Sequence, residues 1–317
     1  MYLNIADPSD GLFTRRDLDP VATPVGAAAV VCLHSSTGSH AQWRALAETF
    51  APRWHVLSPD LHGHGRSPAW PAHSRSTLRV DAAAVVQCCG PLPNGVHLVG
   101  HSYGAAVAMQ IALRYPQWVR SLTLYEPVVF GTIARMAPGD AALAEIRAVA
   151  ASVADDVTRG DLTAASRRFI DYWGQAGAWA AMTPAQQAAV RSRIATVVRH
   201  FDALFAAAWG PGALSRLRMP VLLLHGACTR APARRVVELL SSVLPRAQPC
   251  ELSGAGHLGP ITHAEMVNHC MATHIDPVLA AGTIRGFHVP HAINDFDSSA
   301  DDSSSCRVDP GRLRAAA

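Results

Sequence analysis

Six short runs of apolar, often β-branched residues punctuate the sequence, and longer stretches of helical periodicity separate them. Ala27 to Leu33, Trp54 to Ser58, Val96 to Gly100, Leu122 to Tyr125, Val221 to His225 and Pro249 to Leu252 read as buried strands, apolar on both faces. Strands of a parallel sheet covered by helices on both sides have this character. Between them, Trp43, Leu46, Ala47 and Phe50 form one stripe at helical spacing, and Val236, Val237, Leu240 and Val243-Leu244 form another. The alternation predicts an α/β fold class with a doubly wound sheet. At 317 residues the chain is long enough for one large α/β domain or two ordinary ones.

One stretch breaks the rhythm. From about Gly131 to Gly212 only helical periodicity appears, carried by Phe169, Tyr172 and Trp173 and then by Val197, Val198, Phe201, Leu204 and Phe205. A helical insertion in such a sheet lies over the strand ends, where ligands bind, so it is read as a cap. The expected organisation is a first part of the core over 1–130, a helical cap over 131–213, a second part of the core over 214–285, and a tail over 286–317. That tail contains Asp295-Phe296-Asp297-Ser298-Ser299 and Asp301-Asp302-Ser303-Ser304-Ser305. It is too polar to bury the apolar area that ordering requires and is expected to be disordered.

Composition narrows the function classes. Hydrophobic residues make up 49% and charged residues 16%, the balance of a core-forming globular chain. The net charge of +3 is spread without a basic block, so no nucleic-acid partner is expected. The longest apolar run, Gly26 to Leu33, falls far short of the roughly 20 residues a membrane-spanning helix needs. Met1-Tyr2-Leu3-Asn4 lacks the charged-then-apolar pattern of an export signal. The seven cysteines include no Cys-x-x-Cys pair. They are expected to be reduced, buried small hydrophobes in a cytoplasmic protein whose partner is a small-molecule substrate. His62-Gly63-His64 lacks a third ligand at metal-binding spacing, and no Gly-rich nucleotide loop is present, so no metal and no cofactor are implied.

The sharpest motif is Gly100-His101-Ser102-Tyr103-Gly104, between the run Val96 to Val99 and a helical pattern over Ala105 to Arg114. A serine on a tight strand-to-helix turn is lifted clear of the sheet, and the flanking glycines permit the close backbone approach. The helix N-terminus behind it offers N–H groups to a developing oxyanion. A serine hydroxyl needs a base. His257, in the Gly-rich loop Gly254-Ala255-Gly256-His257 after the last strand, is placed to supply it. The base needs a carboxylate. The segment after Val221 to His225, Gly226-Ala227-Cys228-Thr229-Arg230, contains none, whereas Leu122 to Tyr125 ends in Glu126-Pro127. Glu126 is therefore assigned as the acid, held extended by the following proline. Tyr103 N–H and Ser36 N–H, with Ser35 as runner-up, are the expected oxyanion donors. His34, His101, Phe169, Trp173, Trp179 and Leu258 are the expected pocket residues.

These segments resemble the α/β-hydrolase superfamily, in its capped esterase-like, C–C-hydrolase-like and epoxide-hydrolase-like members. Five segments carry the resemblance: Leu33-His34 with its loop, Asp60-Leu61-His62-Gly63-His64-Gly65-Arg66-Ser67, Gly100 to Gly104, Pro220 to Gly226, and Gly254 to His257. It covers about residues 25 to 280. The resemblance implies an eight-stranded, mostly parallel sheet with helices on both faces, a nucleophile–acid–histidine triad, no cofactor, and a helical cap after the sixth strand. Three positions depart from relatives: Ser102 stands where epoxide hydrolases carry Asp, Ser35 where Gly is usual, and Thr229 where many members carry the acid. The expected activity is hydrolysis of a small, largely hydrophobic ester or lactone through an acyl-enzyme on Ser102. A C–C bond hydrolase, a perhydrolase or acyltransferase, and a non-catalytic ligand-binding member of the fold are the alternatives.

Overall fold

A computed structural model describes residues 11–17, 28–51, 53–70 and 78–276. Seven strands form one sheet among the described residues: β1 (Thr14–Asp17), β2 (Ala29–Leu33), β3 (His55–Pro59), β4 (Val96–His101), β5 (Val119–Tyr125), β6 (Val221–Gly226) and β7 (Ala247–Leu252). Their order is β1-β3-β2-β4-β5-β6-β7. β1 pairs antiparallel with β3, and every other pairing is parallel. The sheet thus has seven described strands rather than the eight expected, and β1 was not anticipated. Thr14-Arg15-Arg16-Asp17 is a polar, half-buried edge without apolar alternation, so its pairing leaves no pattern in the sequence. β7 also departs from the expectation of a buried strand. It closes the other edge with Gln248, Pro249 and Glu251 exposed, and a proline suits an edge because it donates nothing to the ladder.

Side chains alternate across the central strands, so each strand feeds two cores. Val30, Cys32, Val56, Val99 and Leu224 face one side. There they meet Trp43, Leu46 and Phe50 around helix α1 (Arg44–Phe50), and residues of a helix near the end of the described chain. Val31, Leu33, Leu57, Leu98 and Leu223 face the other side, under α2 (Leu78–Cys89) and α3 (Tyr103–Arg114). Burying both faces of the sheet is the main source of stability, at roughly 25 cal/mol per Å² of apolar surface removed from water.

Between β5 and β6 the chain runs through six helices and no strand. They are α4 (Phe130–Met136), α5 (Ala141–Thr158), α6 (Leu162–Gly174), α7 (Ala178–Ala181), α8 (Pro184–Ala206) and α9 (Pro211–Leu214). Their starts are written locally. Asp140 and Asp161 cap α5 and α6, and Thr183 with Gln186 forms a capping box ahead of Pro184 in α8. The insertion's apolar side chains, among them Ile146, Ile194 and Phe201, join the core on the α3 side of the sheet. α10 (Ala231–Ser241), α11 (Gly259–Thr262) and α12 (Ala264–Ile275) complete the described chain, and α12 adds Val267 and Met271 to the α1 side. The tail over 286–317 lies outside the described residues.

Cys32, Cys88, Cys89, Cys250 and Cys270 carry free thiols, and burial pushes the Cys32 thiol far up. Cys228 is disulfide-bonded, which departs from the wholly reduced set expected. Bridging depends on Cα separations that spacing along the chain does not reveal.

The order of the strands reverses after β3, which pairs on the far side of β2 while β4 pairs on the near side. A crevice opens at such a switch point, outside the C-terminal strand ends. The loop after β2, the β4–α3 turn, Glu126 after β5, the turn after β6 and the loop after β7 all emerge along that edge.

Candidate active site

Ser102 occupies the turn between β4 and α3 with φ 55°, in the left-handed region that L side chains rarely adopt. Its amide donates to Tyr125 O at 2.9 Å, which ties the turn to the neighbouring strand. Its Oγ lies 2.9 Å from His257 Nε2, and His257 Nδ1 lies 2.6 Å from Glu126 Oε2. Three residues far apart in sequence thus form one hydrogen-bonded run, and all three are buried. The run is satisfied when Glu126 is ionised, His257 donates from Nδ1, and Ser102 donates to Nε2. A hydroxyl in that arrangement can pass its proton to the imidazole as it attacks an electrophile.

Glu126 is held by more than His257. Gly226 N–H donates to Oε1 at 2.9 Å, and the Thr229 hydroxyl donates to Oε2 at 2.6 Å. Thr229 therefore binds the carboxylate that comes from the neighbouring strand. The backbone of Glu126 departs from the extended form expected from Pro127. Its φ is 44°, a strained value held by these bonds and by its own amide, which donates to Leu224 O at 2.8 Å.

Of the two expected oxyanion donors, Ser36 belongs to the loop after β2 and Tyr103 is the first residue of α3. Among the described residues, neither Ser36 N–H nor Tyr103 N–H has a protein acceptor, whereas Ser35 N–H donates to Gln42 Oε1 at 3.1 Å. The runner-up is thereby engaged elsewhere. In the same loop Ser39 Oγ accepts from Ala41 N–H and caps a short 3₁₀ turn over His40–Trp43.

A narrow pocket, partly open to solvent, lies against Ser102. Ser36, Ser102 and His200 are its polar lining, and apolar side chains including Phe130, Phe169, Trp173 and Phe201 form the rest. Trp173 also packs on His257, with ring centroids 4.0 Å apart. The other expected pocket residues are not in the lining. His34 and His101 are structural: His34 Nε2 accepts from Leu61 N–H at 2.9 Å, and His101 Nε2–H donates to His257 O at 2.8 Å. Trp179 is buried within the insertion, where its amide donates to Asp171 at 2.8 Å. Leu258 packs within the core beside Gly174. Tyr172, beside Trp173 on α6, donates to Glu145 at 2.7 Å and so serves the insertion's own packing.

Two participants escaped sequence reasoning. Gln42 donates to His101 Nδ1 at 3.1 Å and accepts from both the amide and the hydroxyl of Ser35. Through His101 it couples the loop after β2 to the loop that carries His257. His200, on α8, lies against both Ser36 and Tyr103: Nδ1 is 2.7 Å from Ser36 Oγ, and its ring stacks on Tyr103 with centroids 3.5 Å apart. The only trace of it in the sequence is a histidine within the apolar stripe Val197, Phe201, Leu204. Arg193, two turns earlier on α8, donates to Thr37 O at 2.7 Å, so the helix holds that loop at two points.

Burial makes this a neighbourhood of neutral imidazoles. Desolvation holds His101 and His200 well below the usual imidazole value. It also brings His34 down to about 3 and His64 to about 4, with the nearby His64 adding to the effect on His34. His62 and His64 are each engaged by protein partners. His62 Nδ1 is 2.6 Å from Asp81, and His64 Nε2 accepts from Thr37 N–H at 3.1 Å.

Residues 28–264 match the family described as alpha/beta hydrolase fold. Over 107 residues the chain is 41% identical to lipase LipV of Mycobacterium tuberculosis, a match spanning 33% of this chain and 40% of that lipase. It is 28% identical over 255 residues to the pimeloyl-[acyl-carrier protein] methyl ester esterase of Aromatoleum aromaticum, covering 74% of this chain and 93% of that enzyme. Among solved structures it is similar to the 2-hydroxy-6-oxo-6-phenylhexa-2,4-dienoate hydrolase of Rhodococcus sp. strain RHA1. There the TM-score is 0.59 and the identity 23%, over 84% of this chain and 96% of that one.

Proposed function

The chain belongs to the alpha/beta hydrolase fold family, and from that premise we propose that it is a serine hydrolase that cleaves a small, largely apolar ester through an acyl-enzyme on Ser102. The observation that carries the reading is the run Ser102 Oγ–His257 Nε2 at 2.9 Å and His257 Nδ1–Glu126 Oε2 at 2.6 Å.

Ser102 Oγ attacks the ester carbonyl while its proton passes to His257 Nε2. The carbonyl electrons collect on the oxygen, which Ser36 and Tyr103 amides stabilise. Each such preorganised donor contributes roughly 3–4 kcal/mol to the barrier reduction in other acyl-transfer enzymes. His257 then gives the proton to the departing alkoxide, leaving an acyl group on Ser102. A water molecule, deprotonated at the same Nε2, attacks that acyl group; a second collapse returns the proton to Ser102 and frees the acid. Glu126 stays ionised throughout and fixes the Nδ1–H tautomer of His257.

An ester is favoured over a peptide because the pocket is small and its wall mainly apolar. The full-length relative named as a methyl ester esterase supports the same class. Hydrolysis of a short p-nitrophenyl ester by the parent, with the acylated protein trapped by acid quench as a mass increase on Ser102, tests it. Equal turnover by Ser102→Ala and the parent would overturn the reading.

A further inference from the structure

The loop after β2 is strained at Thr37. Gly38 N–H donates to Ser35 O at 3.0 Å and closes a turn over residues 35–38, with a negative φ at Ser36 and φ 66° at Thr37. That sign pattern belongs to a type II turn, whose third residue is ordinarily glycine. A β-branched residue there is costly and persists only where its surroundings hold it.

The holding contacts lie on both sides of the strained torsion. Thr37 N–H donates to His64 Nε2 at 3.1 Å, and Arg193 Nη1 donates to Thr37 O at 2.7 Å and to Gly38 O at 3.2 Å. Arg193 is half-buried on α8 and, among the described residues, bonds these two carbonyls rather than a carboxylate. Hydrogen bonds from a cation are the stronger kind, and here they fall on the residues that directly follow Ser36. The same helix presses on the loop that carries His64: a Cβ on Gly63 would lie 2.8 Å from Thr196 Oγ1. Without Arg193 one side of Thr37 is released. Relaxation to a negative φ then turns over the Ser36–Thr37 peptide, breaks the bond to His64 and displaces Ser36.

We propose that Arg193 is a positioning residue, which from α8 holds the strained turn so that Ser36 N–H is set to receive the oxyanion. The inference rests on the serine-hydrolase reading and deepens it: the helical insertion helps to build the oxyanion site as well as the pocket wall.

Turnover of a short p-nitrophenyl ester and the rate of phosphonylation by a fluorophosphonate test it, in variants whose thermal melts show that they are folded. Arg193→Met should lower kcat by about 10- to 100-fold, a part of what one oxyanion donor contributes. KM should change by less than about 3-fold, since Arg193 is not in the pocket lining. Arg193→Lys places an amine near the same carbonyls and should recover part of the rate. Thr37→Gly removes the cost of the positive φ, so the turn no longer needs the clamp. In that background Arg193→Met should cost less than about 3-fold in kcat and in phosphonylation, whereas a merely structural role would cost the same in both backgrounds. Should Arg193→Met not fold, Arg193→Gln, too short to span both carbonyls, carries the same comparison. An Arg193 variant within about 3-fold of the parent, or an equal loss with and without Thr37→Gly, would overturn the proposal. A parent that neither hydrolyses the ester nor takes up the phosphonate would remove the serine-hydrolase reading itself and the proposal with it.

Discussion

In the proposed reaction the chemistry turns on Glu126, which reaches the site from the end of β5. It follows β5, has φ 44°, and its carboxylate accepts from Gly226, Thr229 and His257. Glu126→Gln keeps the shape and removes the charge that fixes the His257 tautomer. We expect kcat to fall by at least about 10³-fold with the melting temperature little changed. A kcat within about tenfold of the parent would show that another group orients His257. Glu126 was legible in the sequence because it ends a strand pattern at the right edge of the sheet, next to a segment that lacks an acid. Its φ was not legible, since the bonds that hold it come from Gly226 and Thr229, about a hundred residues away. Gln42 and His200 were hidden for the same reason. Their roles come from partners 59 and 164 residues distant, and neither residue type stands out where it occurs.

At the scale of elements, the β4–α3 turn is the best-specified part of the molecule. A Cβ on Gly104 would lie 2.3 Å from Leu33 O and 2.5 Å from His34 O; one on Gly100 would lie 2.6 Å from Ala105 Cα. These neighbours are backbone, so no side chain can swing aside. Gly104→Ala must push α3 away from the end of β2, and it should cost at least about 3 kcal/mol, a melting temperature lower by roughly 6 °C or more. A variant that melts with the parent would mean that the helix start is not packed as described. This tightness is why the motif could be read from five residues: the close approach admits nothing but glycine. The central strands were legible because they are apolar on both faces. β1 and β7 were less so, since an edge strand has half its surface in solvent and its pattern is set by that exposure.

Across the whole molecule, the buried histidines tie stability to pH. His34 Nε2 accepts from Leu61, His64 Nε2 from Thr37, and His101 Nδ1 from Gln42, so each is bonded through its unprotonated nitrogen. In the unfolded chain each imidazole binds a proton near pH 6.5, whereas in the folded chain His34 does so only at about 3 and His64 at about 4. The unfolded state therefore takes up more protons as pH falls below about 6.5, and stability drops until the folded values are reached. At pH 5 His34 and His64 each forfeit about 2 kcal/mol, and His101 and His200 act in the same direction. Thermal melts should move down steeply between pH 7 and pH 5, and a flat profile would mean that these rings are solvated.

If the hydrogen-bonded run activates Ser102, a fluorophosphonate detects it without knowledge of the substrate, and intact mass after exposure is the readout. Such a probe phosphonylates a serine whose base and oxyanion donors already act together. The parent should gain the mass of a single adduct, and Ser102→Ala should gain none. An unlabelled, well-folded parent, or the same adduct on Ser102→Ala, would contradict it.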